Sequence, residues 1–416
     1  MPVYLNNAAT SWPKPETVPV AMTAFLTSGG ANLARGTSSN RDLKTLNAVL
    51  DCRVRLSTLL GGYGGFRGCF PAGKPALRAP ELQSGSSECG NPLNVTFCSN
   101  ITEALNIVLK GYLRQGMSVL TSSMEHNAVM RPLRTLERDG VIRLTLIPSG
   151  TDGLMDLKSL QDTLASERFD LMVMAHASNV CGTIQPVEEI AGMCGKAGVP
   201  LVLDTAQTAG VLPLSAKSLG LAALCFTGHK SLLGPQGTGG IVWNPEFAAQ
   251  VTPLITGGTG SYSHLEFQPD DLPDRFESGT PNLPGITGLN AALTWLEEEG
   301  MEKILLRERA LGSHLLEGLL ATEGMELAGM HEIDGRLPVF PVNIRGLDNA
   351  ILANRLSLMG FETRPGLHCA PSAHRSLGTF PQGALRVSPG YFNTLQDIDD
   401  FLNALSEAAR ELKKEG

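Results

Sequence analysis

Between residues 95 and 245, short apolar runs alternate with helical segments, and this alternation strongly limits the possible folds. Seven apolar runs, many of them rich in β-branched residues, read VTFCS, SVLTSS, IRLTLIP, DLMVMAHA, VPLVLD, AALCFTG and GGIVW. Helical patterns lie between them at 102–115, 156–168 and 186–198. Because βαβ alternation is typical of parallel strands joined by crossover helices, the sequence predicts an α/β fold whose mostly parallel sheet is flanked by helices.

A second pattern begins near residue 285. It comprises helical segments at 285–299 and 301–323, the strand-like run LPVFPVNIR, a helix at 347–359, the strand-like run ALRVS and a helix at 395–413. This arrangement predicts a smaller α+β domain, and the length of 416 residues also exceeds the usual size of one domain. We therefore predict a large α/β domain at 21–290, a small C-terminal domain at 291–416 and an N-terminal segment, 1–20, that joins the small domain.

Residues 61–94 are dominated by Gly, Pro and Ser, which predicts a long surface loop or insertion. Within it, GCFPAGKP (68–75) matches the first seven positions of a P-loop. Pro75 stands where Ser or Thr would bind magnesium, and proline has no backbone N–H to offer a phosphate. We therefore do not expect nucleotide binding at this segment.

Composition excludes several classes of protein. The chain has 33 Lys and Arg against 41 Asp and Glu, and the net charge of −8 argues against a general nucleic-acid or anionic-membrane binder. No apolar run approaches the roughly 18 residues that a transmembrane helix needs, and the N-terminus lacks the pattern of a signal peptide. The eight cysteines include no CxxC spacing, so we expect no disulfide framework and no metal site. We expect a soluble, reduced, cytoplasmic protein.

Two polar clusters follow neighbouring apolar runs. In CFTGHKSLLGPQGTGG (225–240), Thr227, His229 and Lys230 share one turn at a predicted strand end, where α/β sheets bind their ligands. An isolated lysine at such a place is more often a surface residue, but this one could form a Schiff base with an aldehyde. In LVLDTAQTAG (201–210), Asp204 either caps the next helical turn or meets a cationic partner, with Gln207 on the same side.

Two further clusters begin predicted helices. In SNITEALNIVLKG (99–111), Thr102 or Asn100 could cap the helix, and the same helix N-terminus could bind a phosphate. In SSMEHNAV (122–129), His126 follows a strand, where a lone histidine is more often structural. Its flat ring could alternatively stack on an aromatic cofactor and exchange protons near neutral pH.

The C-terminal segment RPGLHCAPSAHR (364–375) places Cys369 in a polar turn. The nearby cationic or titratable side chains are Arg364, His368, His374 and Arg375. Positive neighbours lower the pKa of a thiol, so Cys369 is a candidate nucleophile. Arg386, in ALRVSPG (384–390), is either a strand-edge surface cation or a bidentate clamp for a substrate carboxylate.

Taken in order, eight motifs resemble the class V aminotransferase superfamily of pyridoxal-phosphate enzymes: NNAAT, TEALN, EHNA, ASNVCGTIQP, DTAQTAG, TGHKSLLGPQGTGG, RFESGTPN and RPGLHCAP. The resemblance extends from YLNNAATSWPKP (4–15) to RVSPGYFNT (386–394), and 61–94 is its main interruption. The chain is most similar to the cysteine desulfurase and selenocysteine lyase branch, in its compact cysteine-loop type. The resemblance implies fold type I of the pyridoxal-phosphate-dependent transferases.

The resemblance also implies how pyridoxal 5'-phosphate is bound. Lys230 would carry it as a Schiff base, Asp204 would pair with its pyridinium nitrogen and His126 would stack on its ring. The other implied contacts are Asn179 and Gln207 at the phenolic oxygen, Thr102, Thr227 and His229 at the phosphate, and Thr280 at the phosphate of a neighbouring subunit.

For the substrate, the resemblance implies that Arg386 binds the carboxylate, with Asn179 and Arg364 also in the substrate site. Lys230, His126 and Cys369 would be the catalytic residues, and Cys369 would accept sulfur as a persulfide. The implied function is conversion of L-cysteine to L-alanine by a homodimer that passes sulfur to an acceptor protein. The alternative is a selenocysteine lyase, or another class V lyase or aminotransferase. One departure from the family is Asn6-Asn7, where the family often has Asp-Asn.

Overall fold

The computed structural model describes residues 2–28, 33, 39–64 and 90–415. Most of the predicted insertion, including the segment at 68–75, therefore lies outside the described residues. The strands are β1 Val3–Tyr4, β2 Val95–Cys98, β3 Met117–Ser122, β4 Ile142–Ile147, β5 Leu171–Ala175, β6 Leu201–Asp204, β7 Ala223–Thr227, β8 Gly239–Trp243, β9 Met325–Leu327, β10 Phe340–Ile344, β11 Phe361–Glu362, β12 Arg364–Gly366 and β13 Ala384–Val387.

The described residues also form a set of α-helices. They are α1 Thr17–Thr27, α2 Asn40–Leu59, α3 Ile101–Tyr112, α4 Asn127–Arg138, α5 Leu157–Ser166, α6 Val187–Ala197, α7 Pro245–Ala248, α8 Leu283–Glu299, α9 Met301–Ala321, α10 Asn349–Leu358, α11 Pro371–Ser376 and α12 Leu395–Glu415. Within the described part of the chain, no helix is both long and apolar enough to cross a membrane.

The main sheet has seven strands in the order β2-β8-β7-β6-β5-β3-β4. β8 is antiparallel to β2 and to β7, and the other neighbouring pairs are parallel. β6, β7 and β8 are buried along their whole length, because apolar clusters cover both faces of the sheet. The predicted α/β fold with a mostly parallel, mixed sheet is confirmed.

The C-terminal part contains a four-stranded antiparallel sheet in the order β12-β13-β10-β9. Helices α9, α10 and α12 supply apolar side chains to its core. β1 pairs in parallel with β11, which ties the N-terminal segment to this part of the chain. The predicted boundaries after residues 20 and 290 fall inside α1 and α8, and the division into domains stays a prediction.

Candidate active site

The carboxyl ends of the parallel strands place polar side chains at one edge of the main sheet. Asp204 is the last residue of β6, and its registered neighbour on β7 is Cys225. Thr227 ends β7, and Lys230 follows three residues later. His126 lies between β3 and α4. Since neighbouring parallel strands end at the same edge, the fold brings these groups to one side of the sheet.

Asp204 is a buried carboxylate with a cationic neighbour. The residue is only 5% exposed, and its Oδ1 accepts a hydrogen bond from the Ala206 N–H at 2.9 Å. Burial raises the pKa of Asp204, while the Ala206 N–H and the charge of Lys230 lower it. The structure therefore shows both a capping hydrogen bond and a cationic neighbour for Asp204.

Lys230 is half-buried and its ammonium is destabilised. Its pKa is lowered from 10.5 to about 8, chiefly by burial. The charges of Arg386 and Arg364 contribute to this shift, and those of Asp204 and Cys369 oppose it. A lysine with a pKa near neutrality is partly unprotonated, which is the form that attacks a carbonyl and accepts a proton. The surface-lysine alternative therefore does not describe Lys230.

The N-terminal segment holds the backbone of the Lys230 turn. Thr10 Oγ1, Ser11 N and Lys14 Nζ all donate to the carbonyl of His229, at 3.1, 3.0 and 2.8 Å. Ser11 Oγ donates to the Lys230 carbonyl at 2.9 Å. The turn carbonyls are therefore fixed by a segment more than 200 residues away in sequence, which single motifs could not reveal.

His126 is the N-cap of α4, where its Nδ1 accepts from the Ala128 N–H at 3.0 Å. Burial lowers its pKa to about 3, and the charges of Lys230, Arg364 and Arg386 add to the effect. The lowered pKa favours a neutral ring, and the catalytic role of His126 stays a prediction. A neutral ring keeps the flat apolar face that stacking needs.

Cys369 lies on a tight turn beside this edge. It is exposed, while Cys52, Cys181, Cys194 and Cys225 are buried. Arg364 Nη2 lies 4.0 Å from its Sγ. The Asn127 N–H, at the start of α4, donates to the Cys369 carbonyl at 2.7 Å, which brings the turn next to His126.

The predicted positive surroundings of Cys369 need one correction. Burial lowers the pKa of His368 to about 3 and of His374 to about 4, so both rings are neutral. The guanidinium of Arg375 stacks on Phe380 at 4.3 Å. Arg364 is therefore the cation that faces the thiol among the four predicted neighbours.

Two arginines are registered partners across the C-terminal sheet. Arg364 on β12 lies opposite Arg386 on β13, and opposite residues of an antiparallel pair point to the same face. Arg386 is 1% exposed and donates to the Asn179 carbonyl at 2.9 Å and to Asn6 Oδ1 at 2.8 Å. Burial and the nearby Arg364 lower its pKa to about 9. The surface-cation alternative for Arg386 is wrong.

The remaining predicted residues lie at several places. Asn179 is buried and its Nδ2 donates to the His368 carbonyl at 2.8 Å, beside Cys369. Gln207 is buried, and its Nε2 donates to the Ala8 carbonyl at 3.1 Å. Thr102 is exposed in the first turn of α3, whose cap is Asn100. Thr280 is exposed and lines a cavity of about 440 Å³.

Two buried titratable residues were missed by the sequence analysis. Glu125 accepts from the Ser122 hydroxyl at 2.6 Å and from the Ala175 N–H at 2.9 Å, and burial raises its pKa to about 8. His176 follows β5, and its N–H donates to the Asp204 carbonyl at 2.9 Å. A polar residue directly after a buried apolar run was the available signal for His176, whereas Glu125 lies three residues beyond β3.

Comparison with known proteins places this geometry in a family. The aminotransferase class-V family model matches residues 89–401. A "Probable cysteine desulfurase" of Pseudomonas aeruginosa is 31% identical over 99% of this chain and 94% of its own length. A relative of the same description from Xylella fastidiosa is 30% identical over 99% of this chain and 91% of its own length.

A solved structure has the same fold over nearly the whole chain. The apo structure of cysteine desulfurase from Thermococcus onnurineus NA1 superposes with a TM-score of 0.86 at 26% identity. The match covers 99% of this chain and 95% of that chain. The chain therefore belongs to the aminotransferase class-V family, in its cysteine desulfurase branch.

Proposed function

We propose that this protein is a pyridoxal-phosphate-dependent cysteine desulfurase, which converts L-cysteine to L-alanine and transfers the sulfur to Cys369. The observation that carries the proposal is the meeting of a destabilised amine, Lys230, with a buried carboxylate, Asp204, beside the exposed thiol of Cys369. The charges of Asp204 and Cys369 both act on Lys230, which supports a shared site.

The donor set fits pyridoxal phosphate. Buried Asp204 offers a carboxylate for a protonated ring nitrogen, and neutral His126 offers a flat surface for the ring. Among the described residues, the buried Nδ1 of His229 has no hydrogen-bond partner, which suits a phosphate oxygen. Thr227 and Thr102 would supply hydroxyl groups to the same phosphate. When bound, the group would withdraw electrons from the α-carbon of the amino acid.

The arginine pair fits the carboxylate of an amino-acid substrate. The Nε of Arg386 is buried and has no hydrogen-bond partner in the part of the chain that the structure describes. A guanidinium offers five donors in a fork that matches a carboxylate, and a buried unpaired donor is costly. Arg386 would thus bind the substrate carboxylate, with Asn179 and Arg364 beside it.

The residues of this site supply the proton and sulfur transfers. With a pKa of about 8, Lys230 in its unprotonated form can remove the α-proton of the substrate. The Cys369 thiolate then attacks the substrate sulfur, so that a sulfur–sulfur bond forms and the bond from sulfur to Cβ breaks. The electron pair stays on Cβ, which takes up a proton, and Lys230 returns a proton to Cα. The products are L-alanine and a persulfide on Cys369, and no external oxidant or reductant is needed.

Cys369 is better suited to this attack than the other described cysteines. Burial raises the pKa of Cys98 and of Cys194 to about 12 and that of Cys225 well above its ordinary value. Those thiols are therefore protonated at neutral pH. Cys369 is exposed, so a substrate can reach its thiol, and Arg364 Nη2 lies 4.0 Å from its Sγ.

The proposal includes a homodimer. Exposed apolar side chains in the segment that precedes Thr280 include Leu254, Ile255, Leu265 and Phe267. An exposed apolar group of this kind favours contact with another protein surface. We expect a second copy of the chain to cover it and to receive Thr280 at its phosphate site. A cytoplasmic location and an acceptor protein for the persulfide sulfur belong to the same proposal.

The test is an assay of the purified protein. We expect a visible absorption band from the bound cofactor and, after L-cysteine is added, equal amounts of L-alanine and of sulfide released by a thiol reductant. Lys230→Ala should abolish the band, whereas Cys369→Ala should keep the band and form no persulfide. Activity with L-selenocysteine but not L-cysteine, or formation of a keto acid, would contradict the proposal.

A further inference from the structure

Behind the Cys369 turn, three side chains form a chain of hydrogen bonds that the proposed chemistry does not use. His368 Nε2 lies 3.0 Å from the Arg364 carbonyl, and His368 Nδ1 lies 3.1 Å from His374 Nε2. His374 Nδ1 lies 2.7 Å from the hydroxyl of Thr379. The two histidines are 3% and 0% exposed, so water does not compete for these contacts.

The direction of every bond in this chain is fixed by its ends. The Arg364 carbonyl can only accept, so His368 Nε2 carries the proton. Burial and the charge of Arg386 lower the pKa of both rings, which are therefore neutral, and His368 Nδ1 must accept from His374 Nε2. A neutral His374 then has an acceptor at Nδ1, to which the Thr379 hydroxyl donates.

One alternative is available to the hydroxyl and is disfavoured. Thr379 Oγ1 also lies 3.4 Å from the His374 carbonyl. If the hydroxyl donated there, His374 would have to protonate Nδ1, and its bare Nε2 would face the bare Nδ1 of His368. Two lone pairs 3.1 Å apart repel, so the chain holds together in one direction only.

This chain supports a strained turn. His368 and Cys369 have φ values of 49° and 58°, in the left-handed region that residues with a Cβ avoid. Such conformations persist where the surroundings determine them from several sides. Asn179 holds the His368 carbonyl and the Asn127 N–H holds the Cys369 carbonyl. The His368 ring is a third anchor, joining the turn to the start of β12.

We propose that His374 and Thr379 are positioning residues for the Cys369 nucleophile. They fix the tautomer of His368, and that ring in turn holds the turn that presents the thiol beside Arg364. Neither residue is among those proposed to bind the substrate. The inference rests on the proposed function where it concerns sulfur transfer, but the chain itself does not depend on that function.

The test compares Thr379→Val, which removes the hydroxyl at similar volume, with Thr379→Ser, which keeps it. Both are studied as cofactor-loaded protein, by the single-turnover rate of persulfide formation on Cys369 and by the rate of Cys369 alkylation with iodoacetamide. We expect Thr379→Val to slow persulfide formation about threefold to tenfold, as for one lost neutral hydrogen bond, and to change the alkylation rate at least about threefold. Thr379→Ser should keep both rates close to those of the wild type, and the absorption band should be unchanged in both variants.

Equal rates in the two variants, at equal melting temperature, would overturn the inference. If Thr379→Val fails to fold, the imidazole nitrogen chemical shifts of the wild type test the inference instead. We expect both His368 and His374 to carry their proton on Nε2 at pH 7. A proton on Nδ1 of either ring, or a charged ring, would overturn it. If the wild type forms no persulfide, the proposed function fails, while the alkylation rates still test the positioning role.

Discussion

At the scale of single residues, burial destabilises the charged groups of the site. Asp204 and Lys230 are each costly to bury, and each is stabilised in its charged form by the other. Glu125 lies behind them, and Asp204 adds to the shift that raises its pKa to about 8. The site therefore holds little excess negative charge, which suits a substrate that brings a carboxylate.

Lys230→Met should stabilise the cofactor-free protein at neutral pH. The folded-state pKa of Lys230 is about 8, and its ordinary value is 10.5. Burying the charged ammonium therefore lowers the free energy of unfolding below pH 8, and this penalty decreases as the pH rises to 10.5. We expect a gain on the order of 1–3 kcal/mol at pH 7 that shrinks toward pH 10, measured by urea unfolding. A gain of the same size at both pH values would show that the pKa of Lys230 is not lowered.

Asn6→Asp should weaken substrate binding. Asn6 Oδ1 accepts from Arg386 at 2.8 Å, and a carboxylate at this position would partly neutralise the guanidinium and compete with the substrate carboxylate. We expect a KM for L-cysteine raised about threefold to tenfold, with kcat nearly unchanged and a higher melting temperature. An unchanged or lower KM would indicate that Arg386 does not bind the substrate.

At the scale of the elements, the N-terminal segment and the strand ends build one site together. The segment at 10–14 holds the carbonyls of the Lys230 turn, and β1 pairs with β11 just before the arginine of β12. Burial lowers the pKa of Lys14 to about 8, so its bond to the His229 carbonyl weakens as the pH rises through this value.

Ser11→Ala should loosen the Lys230 turn. The change removes a hydroxyl proton that lies within reach of the Lys230 carbonyl, at 2.9 Å, and of the His229 carbonyl, at 3.2 Å. We expect a loss of about 1 kcal/mol in stability together with a faster loss of cofactor during dialysis. Ser28→Ala, at the exposed end of α1, is the matched control. Cofactor loss at the same rate in both variants would show that Ser11 does not position the Lys230 turn.

The long elements were predictable from sequence because their apolar patterns are strong. The strand run GGIVW was placed at 239–243, where β8 lies, and the helix pattern at 301–323 differs from α9 by two residues. The short strands β9, β11 and β12 carry too few residues to show a period, and pairing with distant strands creates them. The alternation of apolar runs and helical segments also does not reveal that β8 runs antiparallel to its neighbours.

The candidate site was predictable only in part. Residues that follow strand ends, such as Asp204 and Lys230, could be found because strand ends and ligand sites coincide in α/β folds. The pairing of Arg364 with Arg386 depends on the register of β12 and β13, which is a tertiary property. The neutral state of His126 was missed because it results from burial among cations that are distant in sequence.

At the scale of the whole molecule, the site combines the edge of the seven-stranded sheet with the arginines of the four-stranded sheet. The Asn179–Arg386 and Asn127–Cys369 bonds are made between these two parts of the chain. A change in the position of one part would therefore move the Cys369 thiol and Arg386 together relative to Lys230.

Phe267→Asp should weaken the proposed homodimer. Phe267 is 85% exposed, and a charge there would oppose burial against a second copy. We expect sedimentation velocity to show a shift toward monomer and the cofactor to dissociate more readily, since Thr280 would no longer reach the neighbouring site. Leu358→Asp, at a residue 78% exposed on α10, is the control and should remain dimeric. A Phe267→Asp dimer as stable as the wild type would exclude this surface.

The most direct measurement is mass spectrometry of the Cys369 peptide after one turnover with L-cysteine, with L-alanine quantified in the same sample. We expect one added sulfur atom on Cys369 for each L-alanine formed, and neither product in Lys230→Ala. L-Alanine formed at the wild-type rate by Cys369→Ala, or sulfur carried by another cysteine, would contradict it.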